Sequence, residues 1–125
     1  MIEAQNLVKC FGDFTALSSL TTSIPRGSVY GLVGSNGSGK STFLRLCAGV
    51  YMPDGGSIAV DGQKVYENTA VKQTVFFIAD DLYFLPQSSL RDMARFYAQS
   101  YPGYSQERFE RLLGVFPLDP AAKLA

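Results

Sequence analysis

Residues 34–42 match the phosphate-binding pattern G-x-x-x-x-G-K-[ST] at every fixed position, and they follow an apolar run, residues 29–33, that predicts a buried strand. Three glycines let the backbone turn so that successive N–H groups converge, and the helix predicted from about Lys40 directs its positive end to the same point. Lys40 adds a compact charge, and the Ser41 hydroxyl is an oxygen ligand suited to Mg²⁺. The pattern predicts a nucleoside-triphosphate site formed by Gly34, Ser35, Asn36, Gly37, Ser38, Gly39, Lys40, Ser41 and Thr42.

The composition is that of a soluble globular domain without a strong electrostatic field. The 125 residues are 46% hydrophobic, and 11 basic side chains balance 11 acidic ones. This balance gives no support to a large nucleic-acid footprint, and no window approaches the roughly 18 apolar residues of a membrane-spanning helix. The absence of histidine excludes a histidine triad or a histidine-ligated metal within these residues. Two cysteines, Cys10 and Cys47, indicate buried free thiols in a reducing compartment.

Up to about residue 80, strands and turns alternate around one helix. Besides the run before the loop, strands are predicted over residues 2–9, 17–24, 57–60, 64–66 and 75–79. The last of these is apolar enough to be buried on both faces. The helix after the phosphate loop ends at Pro-Asp-Gly-Gly, residues 53–56, and Asp61-Gly62 predicts a two-residue hairpin turn. The predicted core face of this helix consists of Phe43, Leu44, Leu46, Cys47 and Val50.

After Leu82 the pattern becomes helical. Ser89 and Asp92 resemble a capping box, and Ser105 is a candidate cap for a second helix after the Pro102-Gly103 break. The apolar residues of the two helices recur at helical spacing and are predicted to be core: Leu90, Met93, Ala94, Phe96 and Tyr97 in the first, and Phe109, Leu112, Leu113 and Phe116 in the second.

Residues 31–42 resemble the strand, phosphate loop and helix of the ATP-binding domain of ABC transporters. Residues 53–58, Pro-Asp-Gly-Gly-Ser-Ile, and residues 60–62, Val-Asp-Gly, are similar to the hairpin that this family inserts soon afterwards. The resemblance covers nearly the whole chain. It implies an α/β fold with a P-loop NTPase core and an antiparallel β subdomain in residues 1–82, followed by the beginning of a helical subdomain in residues 83–125.

Upstream of the loop, residues 8–12, Val-Lys-Cys-Phe-Gly, resemble the family segment whose aromatic residue stacks on adenine. The resemblance puts Phe11 in that role, and an aromatic ring does offer a flat apolar face to a base. The residue type alone also fits a core aromatic at a strand end.

Asp80 occupies a position where the family usually has a glutamine that reaches the Mg²⁺ and the attacking water. A carboxylate can coordinate Mg²⁺, but it is a permanent charge without the donor of an amide. Gln87 is the nearest glutamine. An alignment with the family that is shifted to place Gln87 at this position stays open. Asp80 is therefore predicted as a metal ligand together with Ser41.

The resemblance further implies ATP and Mg²⁺ as ligands and Lys40 as a catalytic residue. It implies two protein partners, a transmembrane permease subunit and a second ATP-binding subunit, and no nucleic acid. The location implied is cytoplasmic, on the inner face of the cell membrane through the permease. The family's signature motif, catalytic glutamate and switch histidine lie later in a complete domain, so the 125 residues are expected to be inactive alone.

Two alternatives stay open. Residues 75–81 also fit an apolar strand ending in acid, as in a compact P-loop NTPase or small-molecule kinase with Asp80 as its metal ligand. A soluble ABC-type factor acting in translation or DNA repair would carry the same motifs, although the neutral charge weighs against it.

Overall fold

The computed structural model describes residues 1–124, and its internal contacts divide the chain into two compact units, Met1–Phe77 and the residues from Ile78 onward. The elements in chain order are β1 Ile2–Phe11, β2 Phe14–Ile24, α1 Lys40–Cys47, β3 Gly55–Val60, β4 Gln63–Lys64, α2 Thr69–Lys72, α3 Leu90–Ser100 and α4 Gln106–Val115.

The first unit contains one antiparallel sheet with the strand order β2-β1-β3-β4. Ile2 lies opposite Ile24 on one side and opposite Val60 on the other, so β1 is paired along both edges. The register with β3 shifts between Gln5 and Val8. Asp61 and Gly62 have φ angles of 50° and 78°, which confirms the predicted turn between β3 and β4.

Helix α1 packs against this sheet and forms the core of the unit. Phe43 and Leu46 of α1 are buried with Leu7 of β1 and Ile58 of β3. Two residues predicted to face the core, Leu44 and Val50, are instead exposed. The prediction was wrong for them because α1 has one narrow contact face, and Val50 lies beyond its last turn.

The second unit contains α3 and α4, with the predicted caps in place. Ser89 and Asp92 form a capping box at α3, and the Ser105 hydroxyl accepts from the backbone N–H of Arg108 at α4. Of the predicted core residues, Met93 and Ala94 are buried, whereas Phe96, Leu112 and Phe116 are exposed. Helix α4 buries none of its residues, so its regularly spaced apolar residues do not form a core within residues 1–124.

The predicted strands over residues 29–33 and 75–79 are absent from residues 1–124. Val29 is fully exposed, and Phe76 and Ile78 are also exposed. Apolar, β-branched runs favour strands, but a buried parallel strand needs neighbours in a sheet and cover on both faces. The four strands described here are already paired with one another in a separate antiparallel sheet. None of the helices within residues 1–124 is both long and apolar enough to cross a membrane.

Candidate functional site

The loop that precedes α1 depends on glycine at its two tightest points. Gly37 and Gly39 have φ angles of 83° and 87°, a region that strains residues with a side chain. At Gly39 there is no space either, because a Cβ would lie 2.5 Å from the carbonyl oxygen of Ala16 in β2. The loop therefore packs closely against β2 at Gly39, where the helix begins.

Lys40 folds back over this loop. Its Nζ donates to the carbonyl oxygens of Gly34 and Ser35, each at 2.7 Å, and lies 3.4 Å from the Ser38 hydroxyl. An ammonium group has three donors, and these contacts use all three, with the one to Ser38 clearly the longest. This arrangement holds a positive charge at the site without neutralising it.

The start of α1 is open to an anion. No side chain caps the helix at Gly39, and its first turn contains no acidic residue. The backbone N–H groups of that turn therefore have neither a capping acceptor nor a competing carboxylate, and the helix dipole favours negative charge there. Ser41 is an exposed residue at this end of the helix, with Thr42 next to it. These features fit phosphate groups with an accompanying hard cation.

Phe11 lies at the end of β1, and the residue is 43% exposed. The Tyr51 ring contacts it in an edge-on arrangement, with centroids 5.3 Å apart and planes at 72°. The Lys9 ammonium lies 5.3 Å from the Phe11 centroid. The ring is thus supported by its neighbours and keeps a large accessible fraction, which is compatible with stacking on a base.

Tyr51 and Lys9 were not identified from the sequence as neighbours of Phe11. For Lys9 the sequence did contain an indication, because Lys9 and Phe11 are two residues apart and such residues share one face of a strand. For Tyr51 there was none, because its contact with Phe11 depends on how the end of α1 returns to the sheet.

Asp80, the predicted metal ligand, is an exposed residue in a bend at the beginning of the second unit. The phosphate loop belongs to the first unit, so the pairing of Asp80 with Ser41 at one metal stays a prediction. Within residues 1–124, no group of three or more histidine, cysteine, aspartate or glutamate side chains is gathered as for a metal ion. Both cysteines are free, and burial raises the pKa of the Cys47 thiol to about 11.

Comparison with known proteins gives consistent matches. The family model described as "ABC transporter" matches residues 17–124. The spermidine/putrescine import ATP-binding protein PotA of Nitrosomonas eutropha is 31% identical over 116 residues, which cover 90% of this chain and 32% of that protein. The sulfate/thiosulfate import ATP-binding protein CysA of Synechocystis is 34% identical over 117 residues, 91% of this chain and 33% of that protein.

A solved structure, the putative ABC transporter ATP-binding protein of Pyrococcus furiosus, matches with a TM-score of 0.77 at 28% identity. The match covers 98% of this chain and 60% of that one. The chain spans about a third of the length of the two curated relatives.

Proposed function

The chain belongs to the ABC transporter family, and we propose that it is the ATP-binding part of a subunit that couples ATP binding and hydrolysis to transport across a membrane. The predicted fold class is confirmed, because solved ATP-binding proteins of this family share the fold. The observation that carries the proposal is the phosphate loop itself. Lys40 Nζ is fixed by two carbonyl oxygens beside a helix start that no side chain caps.

The chemistry proposed is in-line attack of water on the γ-phosphate of ATP. The backbone N–H groups at the start of α1 bind the phosphate oxygens, and the Lys40 ammonium stabilises the negative charge that develops on them. Because both groups are held in place before the nucleotide arrives, little reorganisation is required. Ser41 and Asp80 are the proposed ligands of a Mg²⁺ ion, which would neutralise further charge on the phosphates.

The partners and location are proposed from the relatives. Both curated relatives named above are import ATP-binding proteins. This supports a transmembrane permease as partner and a position on the inner face of the membrane. A second ATP-binding subunit is proposed as a further partner. The names of these relatives also support transport over a compact kinase or a soluble factor. We further propose that residues 1–82 act as the ATP-binding core with its β subdomain, and residues 83–125 as the beginning of the helical subdomain.

Phe11 is proposed to stack on adenine, and its substitution tests this. Phe11→Ala is expected to weaken ATP binding by roughly 1–3 kcal/mol, because one stacking face is lost. Phe11→Tyr keeps that face and is expected to be nearly neutral. Affinity for inorganic triphosphate, measured in parallel by calorimetric titration, should not change in either variant. Equal losses in the two variants would instead indicate that Phe11 only packs.

The function is tested by steady-state phosphate release with Mg²⁺ and ATP, comparing the product of the complete gene with residues 1–125 alone. The complete protein is expected to hydrolyse ATP, and the 125 residues are expected not to, because no catalytic carboxylate is identified in them. Absence of turnover and of ATP binding in the complete protein would contradict the proposal. Robust turnover by residues 1–125, lost on Asp80→Ala, would favour a compact NTPase.

A further inference from the structure

Asp54 joins the end of β1 to the loop that follows α1. Its backbone N–H donates to the carbonyl oxygen of Val8 at 2.9 Å. Its Oδ2 accepts from the backbone N–H of Cys10 at 2.7 Å and from Lys9 Nζ at 2.9 Å. One residue therefore binds three consecutive residues of β1, and those three residues lead directly to Phe11.

The contacts of Asp54 favour its charged form. The hydrogen bond from the backbone of Cys10, followed by that from Lys9, holds the pKa of the Asp54 carboxyl below its usual value. At neutral pH the group is a carboxylate facing an ammonium, and the Lys9 side chain is only 13% exposed. Charge-assisted hydrogen bonds of this kind are among the more directional contacts of a protein surface.

Lys9 carries the effect of Asp54 to the aromatic ring. The same Nζ that binds Asp54 lies over the Phe11 ring, 5.3 Å from its centroid. A cation held over a ring is attracted to its face and restricts the orientation of the ring. Without Asp54, Lys9 loses the carboxylate that holds it there, and the backbone N–H of Cys10 loses its side-chain acceptor.

We propose that Asp54 is a positioning residue for the nucleobase: through Lys9 and the Cys10 backbone it fixes the Phe11 ring in the orientation that stacks on the base. This inference rests on the proposed function, because it requires that a base stacks on Phe11. Asp54 itself does not touch the nucleotide. Its contribution is preorganisation, which reduces the ordering cost of binding.

The test compares two ligands in the complete protein. For Asp54→Asn and for Lys9→Met, the affinities for ATP and for inorganic triphosphate are measured with Mg²⁺ by calorimetric titration. Affinity for ATP is expected to fall about three- to tenfold in each variant, while affinity for triphosphate changes less than about twofold. The double variant is expected to lose no more than either single one, because both substitutions break the same contact.

Asp61→Asn is the matched control. Asp61 is a second carboxylate of the same sheet with the same 39% side-chain exposure, and it also binds two cations, the Met1 amino group and Arg26. It lies in the turn between β3 and β4, and its partners do not include Phe11 or Lys9. Asp61→Asn is therefore expected to change neither affinity.

Three results would overturn the inference while leaving the proposed function intact. These are an unchanged preference for ATP over triphosphate in Asp54→Asn and Lys9→Met, a parallel loss of both affinities, and an equal effect of Asp61→Asn. A wild-type protein that binds triphosphate without preferring ATP would remove the role of Phe11, and with it that of Asp54. A wild-type protein that binds neither ligand would contradict the proposed function itself.

Discussion

Lys40→Ala is expected to abolish ATP turnover in the complete protein and to weaken triphosphate binding by several kcal/mol at most. The Lys40 ammonium is fixed by the carbonyl oxygens of Gly34 and Ser35, with a longer contact to the Ser38 hydroxyl. Alanine removes the charge from the phosphates and leaves both carbonyl groups without this donor. Turnover suffers more than affinity because negative charge builds up on the leaving phosphate oxygen toward the transition state, so that the ammonium stabilises that state more than the bound substrate.

Titration with a fluorescent ATP analogue and steady-state phosphate release measure the two effects. Lys64→Ala is the control, because it removes the same charge from an exposed position in β4. It is expected to leave both quantities within about twofold, as for surface substitutions in general. Unchanged affinity together with unchanged turnover in Lys40→Ala would show that residues 34–42 do not form the phosphate site.

Gly56→Ala is expected to cause the largest loss of stability of any single methyl addition in the sheet. Gly56 has a φ of 69°, and a Cβ there would overlap the backbone carbonyl oxygens of Gln5 and Asn6 in β1. The left-handed conformation costs alanine about 1–2 kcal/mol and the overlap about 1–3 kcal/mol more. The midpoint of thermal unfolding of the complete protein should fall accordingly.

Gly62→Ala separates the two contributions. Gly62 has a φ of 78°, but nothing lies within 4 Å of the position that a Cβ would take. This substitution is expected to show the conformational cost alone, about 1–2 kcal/mol. Equal shifts of the unfolding midpoint for the two variants would contradict the close approach of β3 to β1 at Gly56.

Features fixed by local chemistry were predicted from the sequence. Helix α1 begins at Lys40 as the loop pattern indicates, Asp61 and Gly62 form the turn, and Ser89 caps α3. Each of these depends on a few adjacent residues, through glycine conformation or a hydrogen bond between a side chain and a nearby backbone group. The phosphate loop, and with it the main part of the candidate site, was predictable for the same reason.

Features that depend on distant partners were not predicted. Residues 29–33 and 75–79 have the composition of buried strands, but within residues 1–124 they do not join the four-stranded sheet. Asp54 was interpreted as part of a helix-ending turn and of the hairpin resemblance, but not as a partner of Lys9 and Cys10, because those contacts join segments far apart in the chain. Helix α2 was missed, since its four residues carry no periodic signal and only Asn68 marks its start.

The central position of β1 also affects the growing chain on the ribosome. β2 follows β1 directly and can pair with it early, whereas the opposite edge of β1 is paired only by β3, which ends at Val60. Synthesis from Pro25 to Val60 takes about 2–7 s at roughly 5–20 residues per second. During those seconds the N–H and C=O groups along that edge of β1 are open to other chains. The residues proposed to bind phosphate, 34–42, are thus made before the strand that completes the sheet beside them.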